Sequence, residues 1–339
     1  MTALEPNLAP TGAPKAPAIV QLVYGTDPER VLGLAEVDRP TIAADQVLVR
    51  VSAASVDRGT WHCMTGEPYA MRLAGFGVRA PKASNPGRAI AGTVEAVGAA
   101  VTELRPGDEV YGSCDGAFAR YVRAEVKMLA PKPANLSFAE AATVPISGGT
   151  ALQAVRKAKV RSGHRVLVVG ASGGVGSFAV QIAKARGAHV TGVCRTAKVD
   201  FVRSLGADVV IDYTAEDPTA GDDRYDVILD VGGSHRLSHL RRVLTRRGTL
   251  VIVGGETGGR WLGGFDRSLR AVVLSPFVGQ TLGMLVSSEN GADLRTLGEL
   301  IESGQVTPAI DHTYPLQDVP TAICRIADGT VQGKIAITL

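Results

Sequence analysis

The chain has 339 residues, 45% of them apolar and 20% charged, and its 36 basic and 33 acidic side chains leave a formal net charge of +3. At about 150 residues per domain, that length suits two domains with a sizeable core. The ordinary composition excludes whole-chain disorder, the near-neutral balance offers no basic stripe for a nucleic-acid partner, and 40 glycines without a triplet period exclude collagen.

The four cysteines, Cys63, Cys114, Cys194 and Cys324, are scattered and make no C-x-x-C pair. This excludes a disulfide framework and a zinc ribbon, and it points to reduced thiols in the cytoplasm. Residues 1–17 are rich in Pro and Ala, lack the apolar run of a signal peptide, and are expected to form a disordered tail. The longest apolar stretch, Ala271–Val286, is interrupted by Pro276, Gly279 and Gly283. Spanning a bilayer takes about 20 residues, so a buried strand or a subunit interface is expected there and no membrane partner.

The first third reads as β. Ala18–Tyr24, Val31–Val37, Gln46–Ala54, Ala89–Val97 and Ala117–Val122 are candidate strands, and Val47, Val49 and Val51 alternate with Leu48, Arg50 and Ser52. Turns such as Arg105-Pro106-Gly107-Asp108 suggest a small barrel or sandwich. Near Leu136 the pattern changes: Ser137 and Glu140 fit a capping box. Strands and helices then alternate: Arg165–Gly170, Val175–Ala185, His189–Cys194, Lys198–Leu205, Val209–Asp212, Tyr225–Val231, Ser238–Leu244 and Thr249–Gly254. That order means an α/β doubly wound parallel sheet. A helix at Asp293–Ser303 and a terminal strand at Lys334–Leu339 complete the chain.

The most informative segment runs from Arg165 through Gly170, Gly173, Gly174 and Gly176. A buried strand enters a glycine turn and then a helix, the context of a dinucleotide fingerprint. Gly173 lets the main chain approach a pyrophosphate, Gly176 lets the helix pack on the strand, and the amides near Gly174 and Val175 face the negative charge. The same residues spell G-x-S-x-G, a nucleophile elbow, and Ser172, Asp230 and His312 stand in hydrolase order. A hydrolase needs α/β strands before its elbow, whereas the chain before Leu136 reads as β alone. The tip of the second strand, Cys194-Arg195-Thr196-Ala197-Lys198, carries no carboxylate for a ribose 2′-hydroxyl. Arg195, Thr196 and Lys198 suit a 2′-phosphate instead, which makes the expected cofactor NADPH.

The chain resembles the medium-chain dehydrogenase/reductase superfamily, in its zinc-free quinone-oxidoreductase-like branch. The resemblance covers residues 18–339. It rests on Val47–Val56, Gly87–Val97, Pro106–Val110, Gly148–Ala151, Ala171–Gly176, Leu205–Asp208, Tyr225 through Gly233, Gly248–Val251 and Gly333–Ile335, in this order. It implies a Rossmann domain, residues 146–277, inserted into a GroES-like β domain made of residues 18–145 and 278–339. It implies hydride transfer from NADPH to an enone, quinone or other carbonyl compound in the interdomain cleft, and a homodimer. Thr150, Ser172, Gly232, Val253, Gly254 and Lys334 join the cofactor-binding set on the same ground.

In the zinc alcohol dehydrogenases of the superfamily, a Cys, a His with a neighbouring Glu, and a second Cys hold the metal. The matching positions here are Asp57, Arg88 with Ala89, and Ile146, so no metal site is expected. The pair His235 and His239 lacks the Glu of a zinc helix motif. Without a Lewis acid the developing oxyanion needs a proton or a hydrogen bond. Tyr69 falls near the position of a proton-donating tyrosine in related enoyl reductases. Asp57 replaces a common Asn, and it is expected either to pair with Arg88 across the vacated metal site or to orient substrate. A zinc-free alcohol dehydrogenase and a non-catalytic NADPH-binding sensor are the alternatives on this fold.

Overall fold

The computed structural model describes residues 14–255 and 259–339. β1 (Lys15–Gln21) and β2 (Leu32–Asp38) form an antiparallel ribbon, with the single-turn α1 (Pro28–Val31) between them. Lys15, Ala16 and Pro17, expected in the tail, are instead part of β1. Residues 1–13 lie outside the described residues, but Lys15, Ala16 and Pro17 pair with Asp38, Val37 and Glu36. Burial of Ala16, Ala18 and Ile19 against the barrel holds the strand, and Pro17, which has no N–H, still accepts from the Arg120 amide at 3.0 Å.

The barrel continues through β3 (Gln46–Val56), α2 (Arg58–Thr65), a π-helical turn (Arg72–Phe76), β4 (Ala89–Val97), β5 (Glu109–Ser113), β6 (Tyr121–Glu125) and β7 (Leu129–Pro131). Val47, Val49 and Val51 point into its core with no exposure, as a period of two requires. α3 (Phe138–Ala142) and α4 (Pro145–Lys157) lead to the second domain. The capping box forms: the Glu140 amide donates to Ser137 Oγ at 3.3 Å, and the Ser137 amide donates to the Glu140 carboxylate at 2.8 Å.

The second domain runs β8 (Arg165–Val169), α5 (Gly174–Ala185), β9 (His189–Cys194), α6 (Val199–Ser204), β10 (Val209–Asp212), β11 (Tyr225–Asp230), α7 (Leu237–Arg242), β12 (Leu244–Ile252), α8 (Phe265–Leu274) and β13 (Thr281–Met284). Its strands are parallel in the order β10-β9-β8-β11-β12-β13, so the winding reverses between β8 and β11. Such a switch point opens a crevice at the carboxyl ends of the strands. α9 (Gly291–Glu302), β14 (Ile310–Pro315), α10 (Val319–Ala327) and β15 (Lys334–Thr338) then return to the barrel, where β15 pairs antiparallel with β3. The barrel sheet has seven strands, β14-β15-β3-β4-β5-β7 with β6 also on β3.

Two boundaries differ from expectation. β13 pairs with β12, Leu282 opposite Leu250, so the cofactor domain reaches Met284 and does not end at residue 277. The buried strand expected within Ala271–Val286 is thus Thr281–Met284, four residues too short for periodicity to fix their bounds. The stretch Ala271–Val286 is also not one element. Ala271 and Leu282 are buried, whereas Val273 and Phe277 are 60% and 82% exposed, because the chain leaves α8 by a turn before entering β13.

Candidate functional site

The site is built on backbone first. Gly170, at φ +83°, turns the chain out of β8, and Gly173 caps α5. A Cβ on Gly176 would lie 2.1 Å from the Gly170 carbonyl oxygen, one on Gly170 would lie 2.9 Å from the Gly232 amide, and one on Gly254 would lie 2.1 Å from the Val231 oxygen. The ends of β8, β11 and β12 thus meet closely enough to exclude side chains. By helix geometry the amides of Gly174 and Val175 have no acceptor within α5, and they face the crevice with the positive end of the helix dipole.

The C-terminal strand reaches this turn. The Gly333 amide donates to the Ser172 carbonyl at 2.9 Å, and Lys334 Cδ stands 2.9 Å from where a Gly174 Cβ would be. Lys334 is buried, its Nζ donates to the Val56 carbonyl at 2.9 Å, and burial holds its ammonium below the usual lysine range against the opposing pull of Asp57. Asp57 caps α2: its Oδ1 accepts from the Thr60 amide at 3.0 Å. Its Oδ2 is buried and has no hydrogen-bond partner among the described residues, and Ser55 Oγ is in the same condition. Buried polar atoms left unpaired are costly. A glycine cradle beside an unpaired carboxylate oxygen fits a dinucleotide, with amides for the diphosphate and an acceptor for a ribose hydroxyl.

Arg88 does not pair with Asp57. Its Nε and Nη2 donate to Glu289 at 2.9 and 2.7 Å, and its Nη1 donates to Asp115 at 2.6 Å. The reason is topological: the segment leaving β13 brings Glu289 across the cleft, and a bidentate carboxylate outcompetes one already committed to a helix cap. These charges gather around Cys63, whose thiol is pushed up to about 11 by burial and then by Asp57.

At the other end of the crevice, Arg195 is exposed, with Nε 3.3 Å from the Tyr213 hydroxyl. Thr196 Oγ1 donates to Asp212 at 2.6 Å and lies 2.8 Å from Thr214 Oγ1. Lys198 departs from the expected role. It is buried, and its Nζ donates to the carbonyls of Gly329 and Val331 at 2.9 and 2.6 Å, so its charge ties the cofactor domain to the loop before β15. Tyr213 beside Arg195 was missed in the sequence, since nothing local relates the tip of β10 to that of β9.

Tyr69 lies in the turn after α2, edge-on to Trp261 with ring centroids 5.3 Å apart. Its amide donates to the Arg260 carbonyl at 2.8 Å, and Arg260 pairs with Glu67. The Tyr69 hydroxyl makes no hydrogen bond among the described residues. Thr150 is half-buried on α4, and Gly232 and Val253 are half-buried past β11 and β12. The hydrolase constellation is not assembled. Asp230 is held by Arg267 and the Gly233 amide, and His312 stands between Asp311 and Arg325.

No three His, Cys, Asp or Glu side chains converge on a metal position among the described residues. Asp57 caps a helix, Arg88 is a cation clasped by two acids, and Ala89 and Ile146 offer no donor, so this donor set does not fit catalytic zinc.

A doubly wound sheet set into a barrel, with a glycine cradle at the switch point, defines a nicotinamide-dependent oxidoreductase. Residues 43–134 match the alcohol dehydrogenase GroES-like domain, and residues 205–337 match a family described as zinc-binding dehydrogenase. The chain is 35% identical over 317 residues to the 2-methylene-furan-3-one reductase of Solanum lycopersicum, covering 88% of this chain and 73% of that protein. It is 34% identical over 316 residues to the chloroplastic NADPH-dependent alkenal/one oxidoreductase of Arabidopsis thaliana, with the same coverage of 88% and 73%. The structure of the quinone oxidoreductase from Coxiella burnetii superposes with a TM-score of 0.84 at 26% identity, covering 96% of this chain and 100% of that one. The chain belongs to the medium-chain dehydrogenase/reductase superfamily, in its quinone oxidoreductase-like branch.

Proposed function

We propose that this enzyme reduces an enone or a quinone with NADPH in the interdomain cleft, without zinc. The observation that carries the reading is the unpaired Asp57 Oδ2 beside the glycine cradle, together with a donor set unsuited to a metal. NADPH bound there supplies the hydride. The amides of Gly174 and Val175 hold its diphosphate, Lys334 adds positive charge beside the turn, and Asp57 Oδ2 accepts from a ribose hydroxyl. Gly232, Val253 and Gly254 present backbone, not side chains, along the crevice. Arg195, with Thr196 and Tyr213, receives the 2′-phosphate, and the absence of a carboxylate at the tip of β9 supports NADPH over NADH.

Hydride arriving at the β-carbon drives the electron pair of the carbon–carbon double bond toward the carbonyl oxygen. The Tyr69 hydroxyl, uncommitted to any acceptor among the described residues, donates a hydrogen bond to that oxygen or the proton that completes the reduction. The open edge of β13 and the exposed Val273 and Phe277 support a homodimer built on that edge, and four free cysteines support a cytoplasmic location.

The test is a screen of NADPH and NADH oxidation over enones, quinones and aldehydes, with and without a chelator. NADPH-dependent turnover of an enone or quinone, unaffected by the chelator and lowered in Tyr69→Phe, is the expected result. Loss of turnover on chelation overturns the zinc-free reading. Turnover of aldehydes alone favours the alcohol dehydrogenase alternative, and tight NADPH binding with no acceptor favours the sensor.

A further inference from the structure

A cavity of about 480 Å³ opens at the end of the parallel sheet opposite the glycine turn. Ser238, Arg241 and Arg242 of α7, Arg246 at the start of β12, and the residues Val278, Gly279 and Gln280 line it. Thr249 begins the regular pairing of β12 with β13, and Gly254 closes the cofactor crevice five residues later, roughly 16 Å along a strand at about 3.3 Å per residue. The cavity lies before Thr249 and is therefore separate from the crevice.

The arginines are placed by specific bonds. Arg241 Nε donates to Gln280 Oε1 at 3.1 Å, and Gln280 Nε2 donates back to the carbonyls of Arg241 and Thr245 at 2.9 and 3.4 Å. Arg242 Nη2 donates to the Thr219 carbonyl at 2.6 Å. Several other arginines pair with acids, as at Arg88, Arg156, Arg165 and Arg267, whereas Arg195 meets a tyrosine hydroxyl and Arg224 backbone carbonyls. Among the described residues, Arg241, Arg242 and Arg246 have no carboxylate partner. Asp226, which accepts from Thr245 Oγ1, is also taken by the Arg165 amide. The C-terminal dipole of α7 favours cations at Arg241 and Arg242, but Arg246 lies past the helix, and three like charges facing one concavity repel.

We propose that this cavity is a second ligand site, taking a phosphorylated small molecule that carries two or more negative charges. Guanidinium forks match phosphate oxygens in pairs, and Ser238 adds a hydroxyl donor. The site stands independently of the reductase reading.

The experiment is calorimetric titration of inorganic pyrophosphate into the full chain saturated with NADPH, so that the cofactor crevice is already filled. Inorganic phosphate is the arm for a single group. Saturable binding of one pyrophosphate per chain is expected. Arg241→Gln combined with Arg246→Gln should lower that affinity at least tenfold and leave NADPH affinity unchanged. Absence of pyrophosphate heat, or an affinity unaltered by the double substitution, overturns the proposal. So does binding abolished by NADPH, which assigns it to the crevice. A changed oligomeric state of the double variant by light scattering assigns the arginines to a subunit contact and overturns it as well.

Discussion

Arg88 on the barrel and Glu289 on the segment leaving β13 face each other through two parallel N–H···O bonds of 2.9 and 2.7 Å. They tie the start of β4 to the segment leading into α9, and the Glu289 carboxylate is the main reason that the Arg88 guanidinium is held above its usual range. Both side chains are partly open to solvent, at 43% and 26%, so screening reduces what the pair contributes. Glu289→Gln should cost about 1 kcal/mol in urea unfolding at low salt, with most of the difference gone at 1 M salt. An unfolding difference that is indifferent to salt would show that the bond holds by shape alone.

Asp57 has two separable duties. Its Oδ1 caps α2, and its Oδ2 waits for a partner. Asp57→Asn keeps an acceptor at the cap and should unfold like the parent, whereas Asp57→Ala should lose about 1 kcal/mol. NADPH affinity, measured by quenching of protein fluorescence, should fall further in the Ala variant than in the Asn variant. Equal affinities in all three proteins would remove Asp57 from the cofactor.

Gly176 has no room for a methyl group, since a Cβ there would meet the Gly170 oxygen at 2.1 Å. Gly176→Ala must push α5 off the turn. The expected outcome is a tenfold or larger rise in the dissociation constant for NADPH with the barrel intact by circular dichroism. Gly163, where a Cβ meets nothing within 4 Å but φ is +79°, is the control for backbone strain without a clash.

Lys334 is a buried base whose affinity for its proton falls on folding, chiefly through burial. The folded protein therefore binds fewer protons than the unfolded chain between the lowered value and the ordinary lysine value of 10.5. Stability must rise with pH across that window, and the penalty develops as pH falls through it. Lys334→Met removes this slope. Urea melts from pH 8 to pH 10.5 should show the variant gaining on the parent toward the acid end, while NADPH binding weakens. Parallel pH curves for the two proteins would contradict a depressed lysine.

The thiols should be quiet. Burial pushes Cys63 and Cys194 each up to about 11, and it raises Cys114 and Cys324 too. At pH 8 a group at about 11 is roughly 0.1% thiolate. Ellman's reagent should therefore leave Cys63, Cys114 and Cys194 untouched in minutes in the native enzyme and titrate four thiols per chain after unfolding. A fast native thiol would mean that the cleft around Cys63 opens.

What could be read in advance was whatever short-range chemistry dictates. The Ser137 and Glu140 box spans four residues and formed as expected. The passage from β8 through Gly170 and Gly173 into α5 follows from a continuous apolar run and the left-handed backbone that glycine permits at Gly170. A buried strand was one expectation for Ala271–Val286, but its bounds at Thr281–Met284 were not legible, because those four residues are strand only by pairing with Thr249–Ile252. Lys198 was misassigned for a similar reason: its sequence neighbours are the cofactor's basic tip, but its ammonium is taken by carbonyls 131 and 133 residues away.

The amino-acid sequence by itself determined the two-domain plan and the glycine cradle, since these depend on local periodicity and backbone freedom. Only the tertiary structure decided that Arg88 meets Glu289, 201 residues distant, and leaves one oxygen of Asp57 unpaired beside Lys334. Which charge finds which partner is set by the strand order that folds distant segments into one cleft, and no spacing along the chain encodes that distance.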